Sequence, residues 1–166
     1  SAVARHFGWD DASQSDLLLE NPISSDLDVM RPSLLPNLML AAGRNNDRGF
    51  GDGAMFEAGL RFFSTGPDGQ QPTVAGVRMG LAQPRHWAGG SRPVVAFCLK
   101  VGALVALEAY GAPVENLMTA TRDIPAWFHP GRAGTLGLGK NVLAVFGELH
   151  PKALRAVGIK GRMVGF

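Results

Sequence analysis

Leu34, Leu35, Leu38, Met39 and Ala42 recur at intervals of three and four, the spacing that gathers side chains on one face of a helix. Ser33 stands just ahead of them, where a hydroxyl can cap free N–H groups, and Pro36 falls in the first turn, where a missing N–H deprives no carbonyl of a partner. The pattern predicts a helix from Ser33 with its leucine face buried, while Asn37, Arg44 and Asn45 lie elsewhere around the axis. Arg44 and Arg48 suit the electronegative end of that helix, and Gly49 can take the positive φ that stops it.

Elsewhere the periodicity changes. Residues 54–63 mix aromatic and small side chains without helical spacing, and residues 74–81 alternate with period two, so two strands are predicted around the turn at 64–69, forming a hairpin. Residues 84–93 have the composition of a surface loop, with Arg85-His86-Trp87 as a candidate contact point. Phe97, Val101, Leu104 and Val105 share a helical face, closed by Gly111 and Pro113 and weakened at Gly102 by roughly 1 kcal/mol relative to alanine. Residues 116–121 are expected to be extended, and 124–132 to be an irregular, aromatic-rich connection. Leu136 and Leu138 are expected on one side of a short strand, 139–141 as a turn, and 142–149 as a central, continuously apolar strand. His150-Pro151 opens a last short helix through Val157, ended by Gly158. At the start, residues 2–9 form a short helix interrupted by Gly8 and the polar run 10–16, and 17–20 form an extended piece leading into Asn21-Pro22. Hairpins with helices but no regular strand-helix alternation predict an α+β fold with a mostly antiparallel sheet.

Composition narrows this to one core. With 166 residues, 46% of them apolar, the expectation is a single domain over 1–166. Sixteen Lys and Arg against fourteen Asp and Glu leave a formal charge of +2 without a basic block, which argues against a general nucleic-acid binder. One cysteine excludes an internal disulfide, and His6, His86, His129 and His150 are too scattered for a zinc site. No apolar run reaches the roughly 20 residues that span a bilayer, and no secretion signal opens the chain, so no membrane and a cytoplasmic location are expected. The chain begins at Ser1 and stops within the apolar run Met163-Val164-Gly165-Phe166, and is read as a piece of something longer.

Candidate chemistry is thin. Residues 134–140 satisfy the glycine-to-glycine-lysine spacing of a phosphate-binding loop, with Asn141 where a magnesium-binding Ser or Thr would stand. Such a loop needs a helix after it to aim N–H groups at phosphate, whereas 142–146 is β-branched and aromatic, so a hairpin turn is the better reading. Cys98, on an apolar helix, is read as a small packed side chain rather than a nucleophile. His129 and His150 both precede proline and suit turn and cap roles; Trp127, Phe128 and Arg132 could stack on a base but suit packing better. Glu57 is expected to be a hydrogen-bond acceptor, without a second carboxylate to make an acid-base pair.

Five blocks nevertheless carry a resemblance: Asn21-Pro22-Ile23-Ser24-Ser25; Val29-Met30-Arg31-Pro32-Ser33-Leu34-Leu35-Pro36; Phe56-Glu57-Ala58-Gly59; Trp127-Phe128-His129-Pro130-Gly131-Arg132; and Phe146-Gly147-Glu148-Leu149-His150-Pro151. In this order and spacing, over most of the chain, the sequence resembles the β subunit of bacterial phenylalanyl-tRNA synthetase. The resemblance implies a class II aminoacyl-tRNA synthetase-like antiparallel sheet flanked by helices, in an assembly of two α and two β chains whose site for ATP, magnesium and phenylalanine belongs to the α subunit. It implies tRNA as a partner through the holoenzyme and no cofactor or metal in this segment. A working class II site places an arginine two residues before the motif-two glutamate, and that position is Met55. The glycine-rich third motif with its terminal arginine is also missing, since residues 134–139 lead into Lys140-Asn141 and a strand. Without guanidinium groups to offset phosphate charge, adenylate formation would lack its main electrostatic support. One departure is Phe97-Cys98-Leu99-Lys100-Val101, where family members commonly carry aspartate and glycine at the positions of Cys98 and Val101.

The resulting expectation is a non-catalytic core that holds the α subunit in its active arrangement. Met30, Arg31, Leu34, Leu35 and Leu38 are the expected subunit contact, the plainer alternative being that the leucines pack on their own sheet. Two other functions remain open: a nucleotide-binding or hydrolysing domain using Lys140, and an RNA-contact module using Arg85, Trp87, Arg132 and Arg155.

Overall fold

The computed structural model describes residues 17–23 and 28–166, so the helix expected over 2–9 lies outside the described residues. Leu17 is buried, and residues 17–19 run beside residues 28–30: Leu19 N–H donates to Asp28 O (2.8 Å) and Met30 N–H to Leu17 O (2.8 Å).

Helix α1 covers Leu35–Asp47. Ser33 Oγ accepts a hydrogen bond from Leu35 N (3.2 Å), Pro36 sits in the first turn and Arg44 in the last, and Gly49 follows at φ +90°. The predicted leucine face is indeed inward, joining Leu34, Leu35, Leu38, Met39 and Ala42 to Ala75, Val77, Met79, Phe128, Leu149 and Met163 in the main core.

Strands β1 (Gly53–Phe62) and β2 (Gln70–Met79) form a hairpin that pairs without a break from Gly53↔Met79 to Phe62↔Gln70, around a turn holding the 3-10 segment Pro67–Gly69. β2 starts earlier than its alternation suggests because Gln70, Gln71 and Pro72, polar or proline and therefore silent to a hydrophobic pattern, are carried by pairing with Phe62, Arg61 and Leu60. The loop expected over 84–93 is partly ordered as well, its last residues forming β4 (Arg92–Pro93) against β3 (Leu81–Gln83).

Helix α2 spans Ala96–Ala109. Its inward residues are Leu99 and Ala103, whereas Phe97, Val101 and Val105 are 72%, 62% and 60% exposed. Those three do share a face, as their spacing predicts, but it is the outer one. The helix is apolar around most of its circumference, so periodicity could not choose the buried side. Size decides: Gly102 lets the helix approach the ring of Phe166, whose nearest atom lies 3.2 Å from where a Cβ would stand.

The remaining strands are β5 (Met118–Ala120), β6 (Phe128–Leu138), β7 (Asn141–Leu149) and β8 (Met163–Gly165), with helix α3 (Pro151–Ala156) between the last two. β6 begins inside the stretch expected to be irregular, because its register with β7 slips between Phe128 and Ala133 and absorbs Pro130 and Gly131. A second shift between Leu136 and Gly137 also corrects the short-strand reading: Leu136 is buried and Leu138 is 40% exposed, so they do not serve one side. The six-stranded sheet runs β1-β2-β8-β7-β6-β5, antiparallel throughout, which confirms the α+β expectation and places β7 in the interior. α1 and the main core cover one face; α2 covers the other, packing Ala103 with Leu136 and Phe146. No helix among the described residues is long and apolar enough to cross a membrane.

Candidate functional site

Four of the five blocks resolve into two structural units, each joining distant parts of the chain. In the first, Arg31 reaches back from the approach to α1 onto β1: its guanidinium pairs with Glu57 Oε1, its Nε donates to Leu60 O (3.1 Å), and its carbonyl accepts from Phe62 N (3.0 Å). Gly59 makes the space, since a Cβ there would stand 2.5 Å from an Arg31 Nη atom. Glu57 is thus an acceptor, as expected, but its partner was not legible 26 residues away. Gly59→Ala should displace the guanidinium and strand the half-buried Glu57, lowering stability by about 1–2 kcal/mol. A urea denaturation midpoint equal to that of the parent would refute this.

The second unit joins β6 to β7 and α3. His150 N–H donates to Trp127 O (2.8 Å) and Phe128 pairs with Leu149. Each histidine caps its own turn: His129 Nδ1 accepts from Gly131 N (3.2 Å) and His150 Nδ1 from Lys152 N (3.1 Å), with the two rings stacked at 6.2 Å. Glu148, whose side chain is 12% exposed, takes two cations: Arg132 Nη1 at 3.0 and 3.1 Å, and Arg162 Nε at 3.3 Å. This carboxylate escaped sequence reasoning. Its only signal was an acidic residue in an otherwise apolar strand.

Groups that might have done chemistry are therefore engaged in holding strands together. Met55 packs against the main core, with Asn45 Nδ2 3.7 Å from its sulfur. No group of three His, Cys, Asp or Glu among the described residues could hold a metal ion. Lys140 is exposed in the two-residue turn between β6 and β7, with Gly139 at φ +61°, and a strand rather than a helix follows. A cavity of about 610 Å³ adjoins that turn, lined by residues 118–123 and 139–142 with Thr135 and Gly137. Of the four residues considered for RNA, Arg85 and Trp87 are exposed in one loop, Arg132 is held by Glu148, and Arg155 Nε donates to Pro151 O (3.3 Å). Cys98 is half-buried beside Val94, Leu99 and Val164.

The five expected contact residues divide sharply. Leu34, Leu35 and Leu38 are 0%, 4% and 5% exposed in this chain alone, and only Met30 and Arg31 remain half-buried. At the far end of β1, Arg61 donates to Gln71 Oε1 from Nε (3.0 Å) and Nη2 (2.5 Å) and lies 4.5 Å from the centre of the Phe63 ring; burial pulls its pKa below the usual arginine value.

The family model for the phenylalanyl tRNA synthetase beta chain CLM domain matches residues 1–166. The chain is 52% identical to the phenylalanine–tRNA ligase beta subunit of Rhodospirillum rubrum over 99% of its length, and 48% identical to that of Mesorhizobium japonicum over 98%. It spans about a fifth of the length of these relatives, 20% and 21%. A pyrrolysyl tRNA synthetase of Desulfitobacterium hafniense superposes with a TM-score of 0.59 over 87% of this chain and 48% of that one; at 18% identity this is a likeness of fold alone, to a class II synthetase. The chain belongs to the family of phenylalanyl-tRNA synthetase beta-chain CLM domains.

Proposed function

We propose that this chain is a non-catalytic, class II-like core that supports the α subunit of phenylalanyl-tRNA synthetase in the ATP-dependent attachment of phenylalanine to its tRNA. The observation that carries the reading is the engagement of every charged group in the motif blocks within the chain's own fold: Arg31 with Glu57, and Arg132 and Arg162 with Glu148. A triphosphate needs fixed cations aimed at its oxygens, and a thioether at Met55 offers none. ATP and magnesium then belong to the α subunit, tRNA meets the assembly as a whole, and the location is cytoplasmic. Contact with the α subunit, in an assembly of two α and two β chains, runs through the segment leading into α1, where Met30 and Arg31 keep exposed surface. The outer stripe of α2, Phe97, Val101 and Val105, adds apolar area of the kind that partners cover.

The test uses the full-length β chain. Alone it should support no phenylalanine-dependent pyrophosphate exchange; co-expressed with the α subunit it should co-purify and restore aminoacylation, and Lys140→Ala should leave that rate unchanged. Exchange by the β chain alone, loss of activity on Lys140→Ala, or failure to associate would each overturn the proposal.

A further inference from the structure

From residue 69 to residue 107 the chain has no Asp or Glu, and four cations fall in that stretch: Arg78, Arg85, Arg92 and Lys100. In the middle of it the backbone leaves the main sheet. Gly80, at φ +75°, makes the bend, and a Cβ there would overlap Gly51 O and Asp52 Oδ1. The arm that leaves is fastened at its base. Leu81 N–H donates to Asp52 Oδ1 (2.8 Å), Val94 N–H to Gly80 O (3.0 Å) and Arg78 Nη2 to Ala82 O (3.0 Å), while β3 and β4 pair Leu81 with Pro93 and Gln83 with Arg92.

The tip of the arm is a tight hairpin of its own. His86 and Gly89 exchange both backbone bonds (3.1 Å each) around the two-residue turn Trp87-Ala88. The His86 ring braces that turn: Nδ1 accepts from Ala88 N (3.2 Å) and Nε2 meets Gln83 Nε2. This frame holds out Trp87, which is 99% exposed. A single apolar residue in solvent is ordinary. This one is distinguished by its fixed mount and by exposed Arg85 and Arg92 on the two arms, neither of which enters an ion pair with a described residue.

That combination selects its ligand. A protein pocket that takes a tryptophan also covers apolar surface around it, and apart from Trp87 residues 82–93 are Ala, Gln, Pro, Arg, His, Gly and Ser. A lone phosphate would use the guanidinium groups and leave the ring idle. An unpaired nucleotide uses both, because its base offers a face to stack on and its backbone a charge on each side.

We propose that the Trp87 hairpin is a contact for an unpaired nucleotide of tRNA, with the base stacked on the indole and the flanking phosphates met by Arg85 and Arg92. The proposal rests on the reading of the chain as part of phenylalanyl-tRNA synthetase. Gln83 and His86, which could otherwise read a base edge, are turned to each other, so the contact supplies affinity and position rather than base identity.

Filter binding of phenylalanine tRNA to the assembled enzyme, full-length β chain with α subunit, tests this. Trp87→Ala should raise Kd at least about 5-fold, and Trp87→Phe, which keeps a ring, should stay within about 2-fold of the parent. Arg85→Gln combined with Arg92→Gln should weaken binding and flatten the slope of log Kd against log salt by about 1 to 2. An unchanged Kd for Trp87→Ala, or an unchanged slope for the double variant, would overturn the proposal. So would a Trp87→Ala chain that no longer co-purifies with the α subunit, since the hairpin would then be a protein contact. A photocrosslinker, p-benzoylphenylalanine in place of Trp87, gives a second readout. Crosslinking to tRNA supports the contact; crosslinking to the α subunit alone, or to nothing, overturns it. The reading of the chain as a non-catalytic core fails differently, through pyrophosphate exchange by the β chain alone or failure of the parent chains to associate, so the two failures are told apart.

Discussion

Gly147→Ala should unfasten β6 from β7 and cost roughly 3 kcal/mol or more, a large share of the 5–15 kcal/mol that typically holds a domain together. The reason is what the new methyl would meet. A Cβ at Gly147 would stand 2.5 Å from Ala133 Cα and 2.8 Å from Arg132 O, backbone atoms of the neighbouring strand that have no rotamer to escape into. Relief requires the two strands to part at Ala133↔Gly147, the pair where register resumes after the irregularity that follows Phe128. The damage then spreads to adjacent positions, because Arg132 and Glu148 flank the opened pair and Gly147 also pairs with Gly165 of β8. Gly131→Ala is the control: its Cβ would come no nearer than 3.7 Å to the His129 ring, and should change stability by no more than about 0.5 kcal/mol. Denaturant midpoints of the two variants in the full-length chain would decide. A Gly147→Ala midpoint like that of Gly131→Ala would remove the argument.

That glycine also marks the boundary of what could be read from the chain. The leucine helix from Ser33, the first hairpin and the interior strand at 142–149 were legible because their apolar positions repeat with one period and end at serine, glycine or proline. The start of β6 was not, because Pro130 and Gly131 sit in a register slip that no local pattern encodes. The buried side of α2 was not either, since a helix apolar all round gives no preferred direction. At the candidate site the blocks themselves were visible, and so was the cap role of His150, which follows from its place before a helix-opening proline. Arg31 with Glu57, and Arg132 with Glu148 and Arg162, were invisible: each ion pair closes a loop of 14 or more residues, and opposite charges at such distances have no signature until the strands are in register.

Leu34→Ala separates the two uses proposed for the leucine face. Leu34 is 0% exposed and belongs to the main core cluster, which draws on α1, β2, β6, β7, α3 and β8, so truncation leaves a cavity inside that cluster. The expected loss is about 2–5 kcal/mol, and it should appear in the β chain alone to the same extent as in the presence of the α subunit. Phe97→Ser is the opposite case. At 72% exposure its ring contributes little to the fold, so stability should change by at most about 0.5 kcal/mol, while association with the α subunit weakens if the outer stripe of α2 lies in the contact. Thermal midpoints and co-purification with the α subunit, measured on both variants, read the two effects apart. Should Leu34→Ala abolish association without moving the midpoint of the β chain, its side chain would be a contact residue, and the burial seen in the single chain would have to open on assembly.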